Sequence, residues 1–192
     1  GAPIYPELNE KLVALHNNCF ETYGMTETIT HIAASKLSVP KKPFRALDGI
    51  HLEVRKNGCL VVDAPDITDQ LIHTNDLVEM HDERTFTYLG RRDNVINSGG
   101  VKISPEVAER KLAHHIRFPF FLHGIPDEVL GQKLIMVVEA SEVQAKDVEQ
   151  QLAACDSLEK FEVPKTLFCV SEILRNNGKY LRAKTVDTLT IT

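Results

Sequence analysis

The sequence predicts an α+β fold in two parts that meet near residue 92. Three observations predict it. Between residues 48 and 90, short alternating runs are separated by turn residues, the pattern of small antiparallel strands. From Pro105 onward, helical spacing is interleaved with strand-like runs, which suits a sheet covered by helices in two layers. Between these halves, Arg91-Arg92-Asp93 places three charges side by side with nowhere obvious to bury them. Such a tripeptide reads as a junction and a candidate hinge, against the plainer reading of an ordinary loop.

Taken in order, Pro6 to His16 carries Leu8, Leu12, Val13 and Leu15 on one helical face. The preceding G-A-P-I-Y reads as the end of a strand and a turn, which suggests a piece of a longer protein. Cys19–Glu21 and Thr28–Ala34 are strand candidates flanking the loop E-T-Y-G-M-T-E. Ser35 to Arg45 turns to Lys and Pro and reads as an exposed connector. Ile50–Arg55 and Cys59–Val62 alternate around Asn57-Gly58, a hairpin signal. Leu77–Met80 and Phe86–Leu89 pair around H-D-E-R, so that residues 48–90 form a small twisted sheet or partial barrel. Asn94–Asn97 and Val101–Ile103 flank Ser98-Gly99-Gly100, a hairpin whose glycines allow positive φ. Ser104, Pro105 and Glu106 then supply an N-cap, a first-turn proline and an acid. The remaining elements are a helix to about His115, strands over Pro119–His123 and Leu134–Glu139, a helix over Lys146–Ala154, a strand over Lys165–Val170 and a helix over Leu181–Leu189. Asp127 to Lys133 reads as a solvated loop.

Across 192 residues, 43% hydrophobic and 26% charged residues describe a globular chain with a real core. The formal charge of −5, with no basic cluster, argues against nucleic acid as a partner. No apolar run approaches the ~20 residues of a membrane helix. The four cysteines are scattered without a C-x-x-C pair, so packed, reduced thiols and a cytoplasmic setting are expected. Oligomeric state is not legible, and a homo-oligomer stays open.

Three stretches could do chemistry. In the first loop, Tyr23 could stack on a base, Thr26 reach a phosphate oxygen and Glu27 hold Mg²⁺ as a hard oxygen ligand. Taken alone, a buried tyrosine and a capping threonine explain that loop equally well. Asp76, in Thr74-Asn75-Asp76-Leu77, is either a turn former or an acceptor for two ribose hydroxyls, with Arg91 near the same sugar. Leu174 to Arg182 is a polar Gly-Lys stretch that is not a P-loop. By itself, Gly178-Lys179 is a flexible turn with a solvated lysine.

Order and spacing add what each stretch lacks alone. Gly1-Ala2-Pro3, Tyr23–Glu27, Thr74–Leu77, Gly90–Glu106 and Gly178-Lys179 together resemble the adenylate-forming superfamily of acyl-CoA ligases, aryl ligases, adenylation domains and luciferases. The resemblance spans the chain. It implies the tail of a large adenylation domain over residues 1–91, ending in a small distorted β-barrel. A mobile α+β lid domain would follow over 92–192. It further implies ATP, Mg²⁺ and coenzyme A as cofactors and a small carboxylic acid as substrate. Lys179 then matches the catalytic lysine, with Thr26 and Glu27 at the phosphates and metal. Gly1, Ala2, Pro3, Thr22, Tyr23, Gly24, Asp76 and Arg91 would line the nucleotide. Asp93 would be the hinge, and Ser98, Gly99 and Gly100 the edge that admits the pantetheine arm. Within the family, I-N-S-G-G-V-K-I-S-P-E and the short span from Tyr23 to Thr74 resemble the o-succinylbenzoate–CoA ligases of menaquinone synthesis. Gly24, where a bulky residue would restrict the acid, argues for an acid larger than acetate.

Several positions depart from the pattern: Asn75 stands for a glycine, Leu174 for a proline, Asn176-Asn177 where the pattern has a Thr or Ser nearby, and Cys59 for an acid. The family's upstream phosphate loop is absent from this stretch, so no turnover is expected of the chain alone. A non-enzymatic nucleotide- or partner-binding module is the competing reading. The retained Glu27, Asp76 and Lys179 favour the enzyme.

Overall fold

The structure, a computed structural model, describes Ile4 and residues 6–15 and 18–189. It divides into two units, Gly1–Asp93 and Asn94–Thr192.

The first unit opens with α1 (Pro6–Ala14). Seven strands follow: β1 (Phe20–Gly24), β2 (His31–Lys36), β3 (Phe44–Ala46), β4 (His51–Val54), β5 (Cys59–Asp63), β6 (Ile72–Met80) and β7 (Thr85–Arg91). They make one antiparallel sheet in the order β1-β2-β3-β7-β6-β5-β4. Among the described residues β1 and β4 remain its two edges, so the expected barrel is not closed. Its core gathers Ile32, Phe44, Ile50, Leu60, Val62, Val78 and Phe86.

The connector expected over Ser35–Arg45 is not wholly exposed. Phe44 and Ala46 point inward and Arg45 outward, and β3 joins β2 to β7. Burying one phenylalanine stabilises by roughly 1.5–3 kcal/mol, enough to draw a three-residue strand out of a Lys/Pro-rich segment. β6 also starts earlier than its apolar run, at Ile72, because Thr74 turns inward and its hydroxyl donates to the Leu60 carbonyl at 2.8 Å.

The second unit begins with the hairpin β8 (Ile96–Ser98) and β9 (Val101–Ile103), then α2 (Pro105–Leu112). Ser104 takes the extended backbone of an N-cap, but its hydroxyl makes no cap hydrogen bond. β10 (Phe120–Asp127) and β11 (Gly131–Glu139) form a second hairpin. The span expected to be loop is therefore mostly strand. Its turn is built by Asp127, whose carboxylate accepts from the amides of Val129 and Leu130 at 3.0 and 2.8 Å. α3 (Ala145–Ala153) carries the chain over to β12 (Thr166–Val170), parallel to β11.

β11 is buried on both faces, and its side chains alternate between two cores. Leu134, Met136 and Val138 join Ile96, Leu112 and Phe120, while Ile135 and Val137 join Phe121, Ile125 and Ile173. The chain closes with the two-residue strands β13 (Arg175–Asn176) and β14 (Lys179–Tyr180) and then α4 (Arg182–Val186). The final helix is shorter than its periodicity suggested.

Candidate functional site

In the first unit, six of the sequence-derived residues fall on two neighbouring places. The first is the loop after β1. Thr26 and Glu27 sit on a single 3-10 turn over Thr26–Thr28, and both are exposed. The buried residue of that turn is Thr28, which sequence reasoning passed over. Its hydroxyl accepts from the Met25 amide at 3.1 Å and donates to the Thr30 carbonyl at 2.7 Å. Pinning the third residue this way leaves the first two facing solvent.

Gly24 ends β1 at a bulge, and a Cβ there would stand 2.5 Å from the Thr30 carbonyl oxygen and 2.7 Å from the His31 Cα. That backbone approach alone accounts for the glycine, so its identity carries no information about acid size.

The second place is the strand pair β6–β7. Tyr23 turns its ring onto the core, 5.3 Å edge-on to Phe86 and 5.9 Å from Phe44. Its hydroxyl donates to the Asp76 carboxylate at 2.5 Å. Burial, and then that acceptor, push the tyrosine hydroxyl far above its ordinary value, so it remains a donor throughout the neutral range. Asp76 lies within β6, not at its entrance, directly across from Arg91 on β7. Its amide donates to the Thr74 hydroxyl at 3.1 Å, which fixes the backbone before the carboxylate. Arg91 in turn donates to Asp93 at 2.9 Å, and Asn75 donates to the same Asp93 oxygen at 3.2 Å. Where the resembled pattern has a glycine, Asn75 thus holds the junction carboxylate. Thr22 is exposed on β1. Gly1, Ala2 and Pro3 lie outside the described residues.

The other site residues belong to the second unit. Ser98 pairs with Val101, so Gly99 and Gly100 are the whole turn of the first hairpin, at φ of 59° and 84°. The Gly99 amide donates to the Leu130 carbonyl at 2.8 Å, and a Cβ on Gly100 would meet nothing within 4 Å. Lys179 is exposed on β14 and has no ion pair among the described residues. The stretch around it is no flexible loop. Asn176 pairs with Lys179 across Asn177 and Gly178, both at positive φ (48° and 76°), a two-residue turn of the hairpin-forming kind. Its base is closed by the Leu181 amide on the Leu174 carbonyl at 2.8 Å and by Leu174 on the Thr185 hydroxyl at 3.1 Å.

Two ion pairs flank this hairpin. Arg175 reaches Glu139 at 2.7 Å and lies over the Tyr180 ring. Arg182 grips Glu109 of α2 through both terminal nitrogens and donates to the Leu122 carbonyl at 2.9 Å. Burial pushes the Glu109 carboxyl up, while Arg182 and the Leu122 amide pull it back down. Sequence reading found neither pair. Among the described residues, no three His, Cys, Asp or Glu side chains group as a metal site, and no helix is long and apolar enough to cross a membrane.

No family model matches the chain. It is 30% identical, over an alignment spanning 212 positions, to a 2-succinylbenzoate–CoA ligase of Bacillus cytotoxicus, covering 94% of this chain and 44% of that protein. Among solved structures, it resembles Escherichia coli MenE with bound OSB-AMS at 26% identity and a TM-score of 0.70, covering 88% of this chain and 40% of that one. The o-succinylbenzoate CoA synthetase of Bacillus subtilis shares the fold. Its complex with the acyl-adenylate intermediate OSB-AMP gives a TM-score of 0.81 at 22% identity, over 96% of this chain and 44% of that one. Its complex with ATP and magnesium gives 0.77 at 21% identity, over 97% and 45%. The chain spans less than half the length of the curated relatives it matches.

Proposed function

From the premise that this chain matches the C-terminal part of the adenylate-forming acid–CoA ligases in sequence and fold, we propose that it serves the two-step activation of o-succinylbenzoate. In the first step a carboxylate oxygen attacks the α-phosphorus of ATP and pyrophosphate leaves. In the second, the thiol of coenzyme A attacks the acyl carbonyl and AMP leaves. The whole protein would supply the phosphate loop and most of the acid pocket.

The observation that carries the reading is the Tyr23–Asp76–Arg91 group. A carboxylate held by a permanent donor at 2.5 Å and faced by an arginine keeps its orientation. Two vicinal ribose hydroxyls are natural donors to its remaining lone pairs, and Tyr23 offers an aromatic edge of the same site to the base. Thr26 reaches a phosphate oxygen. Glu27 fits magnesium, which takes one or two carboxylates and completes its shell with phosphate oxygens and water. That ion would neutralise phosphate charge. Lys179 places an ammonium at the α-phosphate, where negative charge grows as the new bond forms. The two hairpins of the second unit then divide the work: Lys179 for adenylation, the open Gly99-Gly100 edge for thioester formation, with Asp93 as the pivot between them.

Pyrophosphate exchange by the full-length protein, with o-succinylbenzoate against a panel of aryl and fatty acids, tests this. Exchange that depends on o-succinylbenzoate is expected. Exchange with a different acid would replace the substrate, and exchange with none would favour a nucleotide-binding module without catalysis.

A further inference from the structure

Lys179 stands on strands of two residues each, with its turn exposed and only Tyr180 of the hairpin partly buried. A hairpin that small does not hold its own orientation in water. An ammonium on a four-carbon stem needs a fixed base if it is to meet a reacting phosphate, so something else must hold the hairpin.

We infer that the Glu109–Arg182 pair is the fixture that aims Lys179, and that both are positioning residues for the adenylation step. This rests on the reading of Lys179 given above. Arg182 follows Lys179 by three residues and begins α4. Its guanidinium is engaged inside the unit: both terminal nitrogens on Glu109, one also on the Leu122 carbonyl, and its Cζ 5.7 Å from the centroid of the Phe121 ring. Glu109 is equally committed, because its other contact is the Leu122 amide at 2.7 Å. Only 18% of either side chain is exposed, so neither is placed to bind a phosphate itself. The pair therefore bolts the far end of the lysine hairpin to α2 and to β10 at once.

The position of α2 also bears on which half-reaction should suffer. α2 begins directly after β9, so the helix that holds Arg182 is the one that carries the Gly99-Gly100 hairpin. The glycine edge has supports of its own, Ser98 paired with Gly131 of β11 and the Gly99 amide on the Leu130 carbonyl, so loss of the pair should loosen the lysine edge alone. The neighbouring Arg175–Glu139 pair is more exposed, at 33% and 27%, and single-handed on the carboxylate, so it constrains less.

The test compares half-reactions in the full-length protein: pyrophosphate exchange for adenylation, and thioester formation from supplied o-succinylbenzoyl adenylate. Arg182→Met leaves Glu109 buried without a partner and can fail to fold. The Glu109→Gln/Arg182→Met double variant removes both charges, which is often neutral for stability, and it carries the experiment. Exchange should fall by roughly 10²-fold, the size of a misplaced catalytic group, while thioester formation holds. Amide exchange at Tyr180 and Leu181 should quicken in the same variant. Arg182→Lys, which keeps the charge but loses the fork, should fall between. Wild-type exchange in a folded double variant would overturn the inference, as would equal loss in both half-reactions. Lys179→Ala runs alongside: if it keeps full exchange, the lysine assignment itself fails, whatever the pair does.

Discussion

The candidate nucleotide face of the first unit and the lysine hairpin of the second are built on opposite plans. Tyr23, Asp76, Arg91 and Asp93 hold one another through hydrogen bonds and cross-strand pairing on a seven-stranded sheet, above a shared aromatic core. The backbone of Lys179 pairs with Asn176, but its side chain makes no ion pair among the described residues; ion pairs flank its hairpin instead. A group that must bind the same ligand throughout a cycle gains from being locked in its own sheet. A group needed for one step gains from being carried on a separate body and presented, which costs only the rigidity of its mount. The contrast is what the proposed two-step reaction would require, and it can be broken from either side.

The largest effect should come from the presented group. Lys179→Ala should cut pyrophosphate exchange by roughly 10²–10³-fold, with little change in urea midpoint because the side chain is exposed. A comparable loss of stability would place the lysine among the structural residues and erase the contrast. On the locked side, Gly24→Ala should destabilise the first unit by roughly 1–3 kcal/mol, since its methyl would meet backbone at 2.5 Å. Denaturant unfolding followed by a probe in each unit should show the shift in the first alone.

Gly178→Ala comes next. Forcing an alanine to a φ of 76° costs roughly 1–2 kcal/mol. A two-residue hairpin should yield by fraying, so exchange at Tyr180 amides should quicken while the global midpoint barely moves. Smallest is the pH effect at Tyr23. Its hydroxyl titrates higher when folded than the ordinary 10.0, so the stability it lends is intact below pH 10 and is lost as pH rises beyond. Wild type should lose stability there faster than Tyr23→Phe; parallel curves would mean that the hydroxyl is not buried against Asp76.

What the sequence made legible follows how local each signal is. Asn57-Gly58 announced its hairpin because alternating apolar residues flank it. Asn177-Gly178 is the same turn chemistry, but Arg175-Asn176 and Lys179-Tyr180 carry no alternation, so it reads as a loop. β3 hides because three residues directly after Lys41-Lys42-Pro43 offer no period. Tyr23, Asp76 and Arg91 could each be picked out singly. Their junction depends on a register shift between Leu77 and Val78 that no residue type encodes. Glu109 and Arg182 lie 73 residues apart, and nothing near either one points to the other.

The most direct test of the division of labour is a crossed pair of variants in the full-length protein, Lys179→Ala and Gly100→Leu, each assayed for both half-reactions. The account predicts that the lysine variant loses pyrophosphate exchange and keeps thioester formation from supplied adenylate, and that the glycine variant does the reverse. Loss of the same half-reaction in both variants would contradict it.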